Sequence, residues 1–314
     1  MEYAIRTENL AKTYGKTFKA LDGVSLQIKK GEVVGYVGPN GAGKTTTIKI
    51  LTGLIRPTAG HAYVNGIDVA AKPRDALRSI GALIEVPGVY DYLTPHEMLT
   101  YFGRVYGMRR DVIDRRIKET LALVRLADWE HKKTGSFSTG MLRRIAIAKA
   151  ILHKPDILIL DEPVLGLDPK GIMEIREMLR QFRSEGMTVF LSSHLLSEVA
   201  EVCDSVIFLD KGKVVSVDSV EGIGQRMDHG VVTVRFLRPL SAADTEKLKS
   251  IALVKSVDVK NSTARLHYDG KPESSVQILR LLVSLNLDVV SFASEGVGLE
   301  DYYVSVMSDE KGVN

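Results

Sequence analysis

The chain has 314 residues, 45% of them hydrophobic and 26% charged, enough for one large domain or two of ordinary size with a normal core. Its formal net charge of +3, with no block of Lys or Arg beyond short pairs, gives no electrostatic basis for binding nucleic acid. The single cysteine, Cys203, excludes an internal disulfide and fits a reducing compartment, where it is expected to pack as a small apolar residue.

No stretch reaches the roughly 18 to 20 uninterrupted apolar residues needed to cross a bilayer. The charged start, Met1-Glu2-Tyr3-Ala4-Ile5-Arg6-Thr7-Glu8, does not fit a signal peptide. The expected location is the cytosol, with any membrane role exercised through a partner.

In chain order, residues 4–14, 20–28 and 32–37 read as strands broken at Gly15 and Gly31. The apolar run Val33-Val34-Gly35-Tyr36-Val37 leads into Gly38-Pro39-Asn40-Gly41-Ala42-Gly43-Lys44-Thr45, and a helix is expected over 46–54, stopped by Arg56-Pro57. The eight residues match the phosphate-cradling pattern G-x-x-x-x-G-K-[ST] in a strand, loop, helix setting. Glycines let the backbone aim successive N–H groups at phosphate oxygens, and the following helix adds its positive end. Lys44 would reach the β and γ phosphates while the Thr45 hydroxyl holds Mg²⁺. The competing reading is a Gly-rich turn that contains Lys-Thr by coincidence.

Further strands are expected at 61–64 and 81–84. From 94 to about 152 the pattern turns helical: Thr94-Pro95-His96-Glu97 is a capping box with proline at the first helical position, and a second helix fits 111–126. These helices read as a lobe, about 90–152, inserted into a strand-rich framework. From Ile157 onward strands (157–160, 188–191, 206–209) alternate with helices (169–183, 195–202), which argues for parallel strands joined by helical crossovers. Residues 219–230, with three glycines, read as a linker between a domain at 1–218 and one at 231–314. The latter runs strand, helix, strand, strand, helix, strand, the split βαβ order, followed by a helical tail over 299–307.

Two further segments carry chemistry. Ile157-Leu158-Ile159-Leu160-Asp161-Glu162 is a buried-type strand ending in two carboxylates; Asp161 is placed to hold Mg²⁺ and Glu162 to polarise an attacking water as general base. Upstream, Phe137-Ser138-Thr139-Gly140-Met141 opens a helix, so Ser138 and the adjacent free N–H groups offer a second anion site. Alone, that segment would be an ordinary N-cap.

Taken together these motifs resemble the ATP-binding subunits of ABC transporters, over roughly the first two thirds of the chain. In that resemblance Gly38, Pro39, Asn40, Gly41, Ala42, Gly43, Lys44, Thr45 and Thr46 bind nucleotide, and Ser138 and Gly140 belong to the signature segment, usually Leu-Ser-Gly-Gly-Gln. Leu165-Gly166-Leu167-Asp168 matches the loop ending in an interface aspartate, and His194 matches the switch histidine of the γ phosphate. Tyr14 matches the aromatic residue that stacks on adenine, an aromatic on a strand being the alternative. Lys44, Glu162 and His194 are the implied catalytic groups, and Thr45, Asp161 and Glu85 the implied Mg²⁺ ligands.

The implied fold is α/β: a P-loop ABC-type ATPase domain with an inserted helical lobe, plus a small C-terminal α+β, ferredoxin-like domain. One motif set per chain implies a homodimer with two shared ATP sites, peripheral on the inner membrane face and driving a separate transmembrane permease. The helical lobe, with Glu85 and the loop 87–92 beside it, is the expected permease dock, to be tested at Tyr90 and Tyr92. Four positions depart from the family pattern: Glu85 replaces a glutamine, Thr139 and Met141 replace Gly and Gln, and Leu165 replaces a polar residue. A glutamate at this position and a separate C-terminal extension resemble ATPases of antibiotic and lantibiotic self-protection exporters. The alternatives are a soluble ABC ATPase of DNA repair or the ribosome, which normally carries a coiled-coil insert or two motif sets, and a nucleotide-dependent regulatory module of low turnover.

Overall fold

The chain opens with two 12-residue strands, β1 (Tyr3–Tyr14) and β2 (Phe18–Lys29), joined by a turn too short for anything but antiparallel pairing. Next come β3 (Val33–Val37), α1 (Lys44–Leu51), β4 (Ala59–Val64), β5 (Ile67–Asp68), α2 (Pro73–Leu77) and β6 (Ile80–Leu83). Helices α3 (Pro95–Val105), α4 (Arg110–Leu123) and α5 (Thr139–Ile151) follow. Then come β7 (Ile157–Asp161), α6 (Pro169–Ser184), β8 (Thr188–Ser193), α7 (Leu196–Val202), β9 (Ser205–Asp210) and β10 (Lys213–Ser219). The last part holds α8 (Val220–Arg226), β11 (Gly230–Phe236), α9 (Ala242–Lys249), β12 (Ser256–Lys260), β13 (Thr263–Tyr268), α10 (Pro272–Ser284) and β14 (Val289–Glu295). The computed structural model describes residues 3–85, 88–226, 230–295 and 303; apart from Tyr303, the tail helix expected at 299–307 lies outside them. Two compact units are present, 1–218 and 219–314.

In the first unit, β3, β7 and β8 are buried at every residue, the pattern of strands covered on both faces. They form the middle of a six-stranded sheet ordered β10-β9-β3-β8-β7-β6, in which β3 pairs in parallel with β8 and β9, and β7 with β8 and β6. A second sheet, β2-β1-β4-β5, is antiparallel. Leu10, Leu21 and Ile28 from it share one core with Val34, Tyr36, Ile48, Ile159 and Phe190. Each such fully buried side chain contributes about 1.5–3 kcal/mol of transfer free energy. Cys203 is buried and its thiol is pushed well above the usual range by burial.

Helix α1 begins at Lys44 rather than at Thr46 and ends at Leu51 rather than Leu54. The Thr52 hydroxyl bonds back to Ile48 O at 2.8 Å and Gly53 takes φ +68°, so glycine terminates the helix before the Arg56-Pro57 stop. In the lobe, Thr94 and Glu97 close the capping box of α3. Helices α4 and α5 cap each other through buried arginines. Arg116 of α4 donates to Leu152 O and Ile151 O, both at 2.9 Å, and Arg144 of α5 donates to Val124 O at 3.3 Å and Arg125 O at 3.2 Å. Arg144 thus satisfies the Val124 and Arg125 carbonyls past the end of α4, and Arg116 that of Leu152, while Ile151 O accepts from Lys154 N as well.

In the second unit, β11–β14 pair antiparallel in the order β12-β13-β11-β14 around a separate core that includes Val232, Phe236, Leu266, Ile278 and Leu282. The stretch 219–230, expected as an open linker, holds α8; the Ser219 hydroxyl accepts from Gly222 N at 2.9 Å as an N-cap does, and the glycines masked this helix in the sequence.

Candidate functional site

Ligands of open α/β sheets bind beyond the carboxyl ends of the strands. There, β3 hands over to the loop 38–43, and β7 and β8 end at Asp161 and Ser193. Gly38 must be glycine because a Cβ would lie 2.1 Å from Leu209 O; Gly43 takes φ +112° and a Cβ there would lie 2.6 Å from Ala20 O. The loop's own hydrogen bonds are sparse, with Ala42 N donating to Pro39 O at 3.1 Å. Gly43 is the N-cap of α1 and supplies no side-chain acceptor, and the first turn carries no acidic residue. By contrast α3, α5 and α6 are capped by Thr94, Ser138 and Asp168. The first N–H groups of α1 are therefore left for an outside anion.

Lys44 is 6% exposed and folds back over this loop, donating to Gly38 O at 2.7 Å and Pro39 O at 3.3 Å, with Glu162 Oε1 3.5 Å away. Thr45 Oγ1 donates to Asp161 Oδ2 at 2.9 Å. His194 Nδ1 lies 2.8 Å from Glu162 Oε2. The structure thus brings together five of the sequence-picked residues: Lys44, Thr45, Asp161, Glu162 and His194. Thr45 and Asp161 offer hard oxygen donors side by side, which suits a Mg²⁺ ion.

Glu85 departs from the expected Mg²⁺ set. Its carboxylate is taken by Lys49 Nζ at 2.6 Å, and this contact holds the Lys49 ammonium above its usual range. Glu85 sits at φ +56°, and its carbonyl accepts from Arg143 at 3.1 Å. Tyr14 ends β1 with 40% exposure, its ring 6.4 Å from that of Phe18, which is 62% exposed. Ser138 accepts from Met141 N at 3.3 Å and Asp168 from Gly171 N at 2.9 Å. Among the described residues, no hydrogen bond joins 138–141 to the loop 38–45 of the same chain.

Two site residues are not flagged by any motif. Ser192, fully buried, donates to Asp161 Oδ1 at 2.6 Å and accepts from Glu162 N at 3.0 Å, so it orients both carboxylates. The signal available was the serine pair that closes an apolar strand just before His194. Arg143 faces Asp161 and Glu162; burial lowers its pKa and these two carboxylates oppose that. A cleft of about 490 Å³ lined by Lys30, Asn65, Arg116, Lys154 and Asp156 lies instead at the starts of β7 and β8, and is no part of this site.

A family model described as "ABC transporter" matches residues 21–165. The uncharacterized ABC transporter ATP-binding protein YcbN of Bacillus subtilis (strain 168) is 36% identical over 312 residues, 98% of each chain. The bacitracin transport ATP-binding protein BcrA of Bacillus licheniformis is 35% identical over 316 residues, again 98% of each. The chain belongs to the ATP-binding subunits of ABC transporters. Such a subunit is an ATPase. Among solved structures, a dimeric ATP-binding cassette in a post-hydrolysis state with ADP and Pi matches with TM-score 0.63 and 27% identity, covering 69% of this chain and 98% of that one. Among the described residues, no helix of this ABC subunit is long and apolar enough to cross a membrane.

Proposed function

We propose that this ABC ATPase works as a homodimer that drives a separate permease exporting a drug, antibiotic or peptide. The observation that carries the ATPase part is the convergence of Lys44, Thr45, Asp161, Glu162 and His194 at the ends of β3, β7 and β8. The N–H groups of 38–46 and the Lys44 ammonium take the triphosphate charge. Thr45 and Asp161 would hold Mg²⁺, which would supply neutralisation of phosphate charge. Glu162 accepts the proton of the attacking water, and His194 fixes the carboxylate that does so. Ser138 and Gly140 are exposed and half-exposed and, among the described residues, make no hydrogen bond to the loop, which leaves them free to close on the nucleotide of a second copy, with Asp168 at the same interface. Tyr14, with Phe18 beside it, offers the adenine a stacking surface.

The C-terminal unit, read as a ferredoxin-like split βαβ domain, stabilises the dimer or answers to the cargo. Similarity over 98% of each chain to a bacitracin transport ATP-binding protein supports the export reading. Tyr90 and Tyr92, both exposed with rings 5.9 Å apart, are the contact offered to the permease beside the helical lobe. The test is Mg²⁺-dependent phosphate release by the purified chain, sedimentation of Glu162→Gln with and without ATP, and peptide-antibiotic sensitivity of cells lacking the chain. A Glu162→Gln protein that stays monomeric with ATP and Mg²⁺ would overturn the dimer, and unchanged sensitivity to every antibiotic tried would overturn the cargo class.

A further inference from the structure

Outside the nucleotide site, three metal-binding side chains converge on the helical lobe. His96 lies in the first turn of α3, while Glu130 and His131 follow the 3-10 turn Ala127–Trp129. His96 Nδ1 is 2.8 Å from Glu130 Oε1, and His131 Nε2 is 3.9 Å from the same oxygen. One ligand atom from each of the three lies within 4.8 Å of the others, and the two imidazole centroids are 5.4 Å apart.

We propose that His96, Glu130 and His131 bind a divalent transition-metal ion of the zinc type, with water in the fourth position. Two imidazoles and one carboxylate form a donor set that suits Zn²⁺ and disfavours Mg²⁺ and Ca²⁺, which take oxygen ligands. His96 coordinates through Nδ1 and His131 through Nε2, each neutral ring moving its proton to the other nitrogen. Glu130 is the inner member, with its side chain 19% exposed, and His131, 76% exposed, has the freedom to close the remaining distance. The Glu97 carboxylate accepts from Thr94 N and Oγ1, and Lys132 Nζ lies 4.3 Å over the Trp129 ring. The positive end of α3 opposes a cation here, and the Glu130 charge offsets it, so binding is weaker than at a closed structural zinc site.

The ion would brace a junction that the backbone has already begun. His96 N donates to Glu130 O at 3.0 Å, Thr134 N to Leu93 O at 3.0 Å, and Gly135 N to Asp91 O at 3.0 Å. The segment so held runs directly into Ser138, so metal occupancy would steady the entry to the signature helix.

The experiment is calorimetric titration of zinc chloride into the untagged full-length chain, with Mg²⁺ in excess to occupy the nucleotide-site oxygens, beside His131→Ala and Glu130→Gln. Circular dichroism checks that each variant is folded; His131 is a surface residue, so that variant is the safe one. Wild type is expected to bind one zinc at least tenfold more tightly than His131→Ala, and cobalt is expected to give the visible absorption of a tetrahedral site in wild type alone. Equal zinc affinity and stoichiometry in wild type and His131→Ala, or no zinc bound by wild type, would overturn the proposal.

Discussion

His194 Nδ1 stands 2.8 Å from Glu162 Oε2, while Lys44 Nζ stands 3.5 Å from the other oxygen of the same carboxylate. One group is thus gripped from two sides, one from the strand end of β8 and one from α1. Glu162 is also held at φ +48°, a left-handed conformation that costs a non-glycine residue on the order of 1–3 kcal/mol. Strain of this kind persists only where the surroundings over-determine it, and here the Ser192 hydroxyl and the His194 ring do so.

Glu162→Gln keeps the shape and the contact with His194 but cannot accept a proton from water. Steady-state phosphate release should fall by about 10²- to 10⁴-fold while nucleotide binding persists. A rate within a few-fold of wild type would remove Glu162 from the general-base role.

Ser192→Ala removes one hydroxyl that serves both Asp161 Oδ1 and Glu162 N. The cost to stability should be about 1–3 kcal/mol, since a buried donor and acceptor lose their partner. The Mg²⁺ concentration giving half-maximal hydrolysis should rise, because Asp161 keeps only its contact with Thr45. Denaturant unfolding and a Mg²⁺ titration of the rate check the two parts, and an unchanged Mg²⁺ requirement would count against the positioning role.

Arg116→Met keeps the apolar stem but takes the guanidinium from the Leu152 carbonyl at the end of α5 and leaves Ile151 O only its bond from Lys154 N. A loss of about 1–3 kcal/mol is expected from the cost of one buried unpaired carbonyl. Combining it with Arg144→Met should show coupling, because both arginines serve the same pair of helices. Strict additivity in urea unfolding would show that the two caps act independently.

His153 stacks on Tyr106 with centroids 4.1 Å apart and lies 3.1 Å from Ile80 O through Nε2. A carbonyl only accepts, so Nε2 carries the proton and the buried Nδ1 is bare. Burial, helped by the Arg116 charge and opposed by the Ile80 carbonyl, holds the pKa below the ordinary value. The neutral ring is therefore favoured in the folded state. Its contribution is complete above the unfolded pKa of about 6.5 and is lost as the pH falls through that value toward the lower folded one. Melting temperatures of wild type should drop more between about pH 7.5 and 5.5 than those of His153→Phe, which has no such proton to take up. Parallel pH profiles for the two proteins would refute this.

The phosphate loop was legible because its glycines answer to local geometry: Gly38 and Gly43 sit where a Cβ has no room. The strands β3, β7 and β8 were legible because burial on both faces demands unbroken apolar runs. Glu85 was not, since its partner Lys49 is 36 residues away and no spacing rule relates them. Nor was Ser192, whose value comes from facing the ends of β7 across a parallel pairing that places Asp161 beside it.

By itself, the sequence determined the nucleotide chemistry of this protein: a G-x-x-x-x-G-K-T loop after one apolar strand and Asp-Glu at the end of another are short-range patterns set by backbone reach and side-chain type. Only the tertiary structure decided which charges meet. The strand order sets β8 between β3 and β7, so that Lys44 and His194 meet the Glu162 carboxylate, while Lys49 draws Glu85 aside. Such contacts join residues up to 118 positions apart, as for Lys44 and Glu162, and they depend on strand register and helix packing.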